Sequence, residues 1–241
     1  MSKGIGVHEP SPPASLGQRE RNKLDKLRRI KTAAQELFVS KGYDDTTTRE
    51  IAIRAGVGMG TVFTYADNKR DLLFLIANED LEETTRRAEA DISADASLIS
   101  NLLMVFRDHY EYFARQPDLS RLMLREMLFY DSGQQANRFK SIRERFFSVI
   151  CETVRLAKEQ RTIAPSEDER TVGWVLFCIY QVELRRWLSD GQLTVKAGMT
   201  SLERALRLFI SGLSPTPDAL SAAPGKASRS VAMRARRKKR P

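Results

Sequence analysis

The twenty residues Thr46-Thr-Thr-Arg-Glu-Ile-Ala-Ile-Arg-Ala-Gly-Val-Gly-Met-Gly-Thr-Val-Phe-Thr-Tyr65 carry the strongest signal in the chain. Thr47 stands three residues before Glu50, the spacing at which a threonine hydroxyl and a glutamate carboxylate cap a helix start reciprocally. Ile51 and Ala52 give that helix a face to bury. Gly56 follows Ala55 where a sharp reversal needs a positive backbone angle, and Val57 can pack back between the flanking helices. A second short helix follows. Two helices joined by a short glycine turn form the helix-turn-helix, whose second helix enters the major groove of DNA and turns its first residues to the base edges. Gly56, Gly58 and Gly60 also invite comparison with a phosphate-binding loop. Such a loop lies between a strand and a long helix, and here a helix precedes it.

Working outward, apolar residues keep a helical period on both sides. Helix one spans about Gln18 to Ser40, with Leu27, Ile30, Ala34, Leu37 and Phe38 on one face and Gly42 at its end. Helix four starts after Asp67 or Asn68, with Asp71 as an acid in its first turn. Helix five covers about Ala96 to Arg115. Pro117 breaks the chain and admits helix six from Asp118 to Phe129. Helix seven runs from about Gln134 to Gln160. Pro165 and Ser166 precede helix eight, which Gly191 ends. That helix is apolar all round from Val172 to Tyr180, so it must be covered on several sides. Helix nine carries Met199, Leu202, Leu206, Phe209, Ile210 and Leu213 on one stripe. No alternating strand pattern interrupts this series. The expected fold is all-α, with about nine helices.

Composition bounds the function. Of 241 residues, 41% are hydrophobic and 29% charged, which suits a globular chain. The longest apolar run, Trp174 to Tyr180, is far below the roughly 18 residues of a membrane span, and the first 18 residues lack the apolar core of a signal peptide. A cytoplasmic location is expected. The net charge of +9 is uneven: residues 1–90 carry +1, residues 91–218 are neutral, and residues 219–241 carry +8. The tail from Arg234 to Arg240 is therefore the basic segment. It can hold nucleic acid non-specifically, or it can serve solubility alone. Arg19 to Lys31 holds seven basic residues against Glu20 and Asp25, either as a solvated helix start or as a DNA-backbone contact. Cys151 and Cys178, both in apolar helical patterns, read as buried free thiols. No histidine, cysteine or carboxylate group has metal-ligand spacing, and there is no nucleophile–base pair or cofactor fingerprint. Neither metal, cofactor nor enzymatic activity is expected.

Ile30, Ala33, Ala34, Leu37, Phe38, Gly42, Tyr43, Thr46, Thr47, Ile51, Ala52, Ala55, Gly56, Val57, Gly60, Thr61, Tyr65, Lys69, Leu72 and Leu73 stand at the spacing of one known domain. Over these residues the chain resembles the N-terminal domain of the tetracycline-repressor (TetR) family, nearly without gaps. The resemblance implies a regulator with residues 19–75 as the DNA-binding domain, 76–213 as a helical effector-binding and dimerisation domain, and flexible segments at 1–18 and 214–241. It implies phosphate contacts from Thr47, Thr61 and Lys69, and approach to bases by Gly58, Met59, Thr64 and Tyr65. Thr48 and Arg49 lie on the adjoining helix, and Arg49 offers a polar contact. Two residues depart from the pattern. Phe63 replaces a tyrosine whose hydroxyl reaches a phosphate, and Ala66 replaces a phenylalanine that anchors the recognition helix to helix four. Phe63 and Tyr65 are open to a packing role as well as a DNA role.

The resemblance further implies a homodimer through helices eight and nine. Leu184, Trp187, Leu188, Leu202, Leu206, Phe209 and Ile210 are the expected interface, with packing inside one subunit the alternative for Trp187. It places an effector pocket among helices five to eight. Phe106, His109, Tyr110, Phe113, Met127, Phe147, Cys151, Trp174 and Cys178 are the candidates, each also readable as plain core. Such a lining suits a hydrophobic or aromatic small molecule. The expected partners are double-stranded DNA with a roughly palindromic operator, that effector and a second copy of the chain. The expected function is a dimeric repressor released by the effector; the alternative is an effector-independent architectural DNA-binding protein.

Overall fold

The computed structural model describes residues 17–164, 166–190 and 193–213. The terminal segments, the basic tail, Pro165 and Gly191 lie outside the described residues. Among those described there are nine α-helices and no strand: α1 Gln18–Ser40, α2 Thr48–Ala55, α3 Met59–Phe63, α4 Lys69–Asp91, α5 Leu98–Arg115, α6 Pro117–Glu126, α7 Ala136–Glu159, α8 Glu169–Ser189 and α9 Val195–Gly212. None is long and apolar enough to cross a membrane.

Local chemistry sets the boundaries. Thr47 and Glu50 form the expected capping box, and Gly56 ends α2 in the left-handed region at φ 62°. Asn68 caps α4 by accepting from the Asp71 amide. Ser97, Asp168 and Thr194 do the same for α5, α8 and α9. Each such cap satisfies a donor that the helix itself leaves unpaired, and is worth about 1 kcal/mol. Pro117 opens α6, where its missing N–H costs nothing. The sequence pattern carried α6 on to Phe129. The helix stops at Glu126 because Phe129 adopts a positive φ of 57°, and because Arg70 of α4 takes the carbonyls of Glu126, Leu128 and Phe129.

One continuous core joins both ends of the molecule. Ile30, Ala34 and Phe38 of α1 pack on Ile51 and Ala52 of α2, Val62 of α3 and Leu72 and Leu73 of α4. Helix α4 then runs on into the larger bundle, packing against α5 and α7. Helices α7, α8, α5 and α9 form that bundle around Phe106, Tyr110, Phe146, Ile150, Tyr180 and Leu184. A fully buried side chain of this size contributes roughly 1.5–3 kcal/mol. Arg138 pairs with Glu82 at 2.6 Å, and Arg145 with Glu89, along the solvent side of α4 and α7. Exposed pairs of this kind add at most about 1 kcal/mol each.

Candidate nucleic-acid interface and effector region

The start of α2 is built around Glu50. Its carboxylate accepts from the Thr47 amide at 2.9 Å and the Thr47 hydroxyl at 2.9 Å, and pairs with Lys41 at 2.5 Å. The Lys41 hydrogen bond, and then the Thr47 amide, lower its carboxyl to about 2. Thr47 stays exposed beside this cap, with Thr48 half-buried and Arg49 exposed. Across α3 and its two caps, Gly58, Phe63 and Thr64 are exposed, while Met59 and Thr61 are half-buried. The Thr64 hydroxyl donates back to the Gly60 carbonyl at 3.0 Å. Phe63 is 45% exposed, a large apolar ring left in solvent.

Two expected contact residues carry other duties. Tyr65 is half-buried, and its hydroxyl donates to the Lys23 carbonyl at 3.3 Å, bracing the recognition helix on α1. Lys69 donates to the carbonyls of Tyr43 and Asp44 at 2.6 and 3.0 Å and lies 4.5 Å over the Tyr43 ring. Burial in turn raises the Tyr43 hydroxyl to about 12. The ammonium is therefore held at the α1–α2 junction rather than swinging freely.

The α6–α7 loop grips the end of α3 directly. Gln134 donates to the Phe63 carbonyl at 2.9 Å and to the Asp67 carboxylate at 2.6 Å. Gln135 donates to the Tyr65 carbonyl at 3.0 Å. The loop itself is pinned on Asp71, which is fully buried. Asp71 accepts from the amides of Gln134, Gln135 and Asp67 at 2.8, 3.0 and 2.9 Å, and from the Tyr130 hydroxyl. Gly133 passes so close that any Cβ there would collide with this carboxylate, at a φ of 119°. Sequence reasoning had singled out Asp71 as a helix-start acid but missed both glutamines. Their partners lie 70 or so positions away, beyond the reach of periodicity.

Residues 30–76 match the family model described as bacterial regulatory proteins, tetR family. A fatty acid metabolism regulator protein of Bacillus subtilis is 24% identical over 194 residues, 80% of this chain and 98% of that one. The transcriptional repressor KstR of Mycobacterium tuberculosis is 24% identical, covering 86% of each chain. The solved structure of Thermus thermophilus FadR, a TetR-family transcriptional repressor in complex with lauroyl-CoA, is similar with a TM-score of 0.57 and 29% identity, over 83% of this chain and 99% of that one. Residues 30–76 are a DNA-binding domain of the tetR family, and the chain is a DNA-binding transcriptional regulator.

The expected pocket residues divide between a buried cluster and an open cleft. Phe106, His109, Tyr110 and Phe113 are buried among themselves and their neighbours. His109 stacks on Phe146 at 3.9 Å, and Phe106 on Tyr180 at 4.5 Å. His109 Nδ1 bonds the Tyr180 hydroxyl at 2.8 Å, and burial lowers its pKa to about 3, so the ring is neutral. Its Nε2 and the Tyr110 hydroxyl are buried without a hydrogen-bond partner. Met127 is half-buried near the end of α6. Phe147 and Trp174 instead border an open cleft between α7 and α8. Cys151 is half-buried against Gly173, where a Cβ would meet its Sγ at 2.7 Å. Cys178 is exposed, correcting the expectation of two buried thiols.

The expected interface also resolves into parts. Leu184, Trp187, Leu188, Leu202 and Leu206 are buried within the subunit, Trp187 against Tyr110 with its indole N–H on the Thr194 carbonyl. Phe209 and Ile210 are half-buried. The face of α8 left open carries Trp174, Cys178 and Val182, four residues apart, and α9 presents Leu208 at 78% exposure. The period of α8 had shown that it needs cover all round. It could not show which face the subunit covers itself.

Proposed function

We propose that the protein is a dimeric transcriptional repressor that leaves its operator when an effector with a long apolar part binds the C-terminal helices. Residues 19–75 are the reading head and residues 76–213 the effector and dimerisation domain. Thr47, Thr48, Arg49, Gly58, Met59, Thr61, Phe63, Thr64 and Lys69 face the DNA, with Tyr65 as their brace. Phosphate contacts from the hydroxyls and Lys69 set the pose, and the α3 surface reads bases. The open stripe of Cys178, Val182 and Leu208 supports dimerisation through α8 and α9. Two heads would then read half-sites about 34–36 Å apart on a roughly palindromic operator. Lauroyl-CoA, bound by the Thermus relative, gives the effector class: an acyl chain on an anionic carrier. The protein acts in the cytoplasm.

The observation that carries this reading is the loop clamp, because Gln134 and Gln135 tie the reading head to the effector region. An effector that favours a different loop position shifts the population away from the DNA-competent state. The test is fluorescence anisotropy of the full chain on DNA from upstream of its own gene against scrambled DNA, over a salt series, with and without lauroyl-CoA. Specific, saturable binding that lauroyl-CoA reverses supports the reading. Equal binding to both DNAs, lost together as salt rises, removes it.

One observation favours a second reading, effector-independent DNA binding: Phe106, His109, Tyr110 and Phe113 pack into a closed core. Specific binding unchanged by any acyl-CoA chain length would select it.

A further inference from the structure

The cleft between α7 and α8 measures about 390 Å³ and is bordered by Arg143, Phe147, Arg170, Trp174 and Phe177. That volume falls in the range of small-molecule sites. Its chemistry is divided. Phe147, Trp174 and Phe177 form one wall, with ring centroids 5.6–6.2 Å apart. Arg170 lies 5.3 Å over the Phe147 ring. Among the described residues neither Arg143 nor Arg170 has a carboxylate partner, whereas Arg138, Arg145 and Arg155 of the same α7 are all paired. Unpaired guanidinium groups beside an apolar wall hold anions well, because each presents a planar fork of donors. Glu144 also borders the cleft, and Asp168 lies close enough to Arg170 to feel its charge.

The aromatic wall does not stop at the surface. Phe177 touches Phe146 at 6.3 Å, and Phe146 stacks on His109 at 3.9 Å. The packed rings thus continue from the cleft wall into the buried core around His109.

We propose that this cleft is the binding site for an anionic amphiphile. Arg143 and Arg170 hold a phosphate-bearing head, and the tail lies along Phe147, Trp174 and Phe177. This rests on the effector reading above and gives it a place and a charge requirement. Trp174 is one helical turn before Cys178, so the site borders the proposed dimer face, where a bound ligand can alter the spacing of the two heads.

The test uses the full chain and lauroyl-CoA, with 1-dodecanol as the uncharged probe. Trp174 is half-exposed in the cleft and Trp187 is buried, so intrinsic fluorescence reports the site. Lauroyl-CoA is expected to change the emission, and Trp174→Phe to abolish most of that change. Arg143→Ala combined with Arg170→Ala is expected to weaken lauroyl-CoA about 10- to 100-fold, the loss of two charge-assisted contacts discounted for their exposure to solvent, and to leave dodecanol within about twofold. Both side chains are on the surface, so the variant folds; an unchanged circular dichroism melt confirms it. Unchanged lauroyl-CoA affinity in the double variant, or a dodecanol loss of the same size, overturns the proposal. Operator release measured in parallel separates the two readings. Release that ignores the arginines sinks this site and leaves the effector reading standing. Arginine-dependent binding without release upholds the site and sinks the effector reading.

Discussion

Replacing Asp71 by alanine should damage stability and DNA binding together. The carboxylate is wholly buried and accepts three backbone amides and the Tyr130 hydroxyl. Asp71→Ala leaves all four donors without it. A buried donor left unsatisfied costs about 1–3 kcal/mol. Three of these donors are backbone groups of partly buried loops that water can reach after the change, so the lower end applies. Burying a carboxylate has its own cost, which the substitution relieves. The net expectation is about 2–4 kcal/mol. At about 2–4 °C per kcal/mol for a domain of this size, the melting midpoint should fall by about 4–16 °C. Tyr130→Phe removes one donor and leaves the carboxylate its three amides, so it should cost about 1 kcal/mol by the same reckoning. Thermal melts by far-ultraviolet circular dichroism read both. Operator affinity should fall with Asp71→Ala even well below the midpoint, because the loop that holds α3 has lost its anchor. A melting point within 2 °C of the parent, roughly the reproducible limit for a change under 1 kcal/mol, would refute the reasoning.

Glu50 gives a pH prediction. Its folded carboxyl lies at about 2, below the ordinary 4.5. A depressed acid contributes stability above its unfolded value and loses it as pH falls toward the folded value. The acid limb of stability between about pH 4.5 and 2 should therefore flatten in Glu50→Gln, as melts across that range would show; an identical limb in both proteins counts against the assignment. Phe63→Tyr should restore a hydroxyl to an exposed ring. If that ring faces the DNA backbone, operator affinity rises about 2- to 10-fold, the worth of one hydrogen bond; no gain places Phe63 away from the phosphates. Lys69→Met should weaken operator and scrambled DNA alike and reduce the salt slope by about one, which anisotropy over a salt series measures.

Helical periodicity located most elements closely, α1 at both ends, because burial of one face is a local pattern. It was weakest where distant groups decide. The end of α6 depends on Arg70 reaching three carbonyls from another helix, so the pattern overran to Phe129. Apolar spacing gathered Phe106 and Trp174 into one candidate pocket, although the first is sealed in the core and the second is 51% exposed. Hydrophobicity marks residues that want cover and is silent about what covers them. The reading head was legible because capping boxes and glycine turns are short-range chemistry. The clamp that holds it was not, since glutamine has no local signature.

The clamp also explains how the chain tolerates Ala66. The family resemblance implies a phenylalanine there, anchoring the recognition helix by packing. Here Ala66 is buried but small, and the carbonyls of Phe63 and Tyr65 just before it are held instead by Gln134 and Gln135. A packed ring resists displacement in all directions, whereas two hydrogen bonds from one loop transmit that loop's position. Gln134→Ala with Gln135→Ala removes them while leaving Asp71 its backbone donors. The two bonds to backbone carbonyls, at about 0.5–1.5 kcal/mol each, and the exposed Gln134 bond to the Asp67 carboxylate predict a melting loss of about 2–12 °C at about 2–4 °C per kcal/mol. Operator affinity should drop about 5- to 100-fold if the bonds are needed to hold α3 in its reading pose. Effector binding, read by tryptophan emission, should be unchanged, and its residual effect on DNA binding should shrink, because the coupling runs through these side chains. A double variant that still releases operator with the parent's full effector response would show that α4 alone carries the signal.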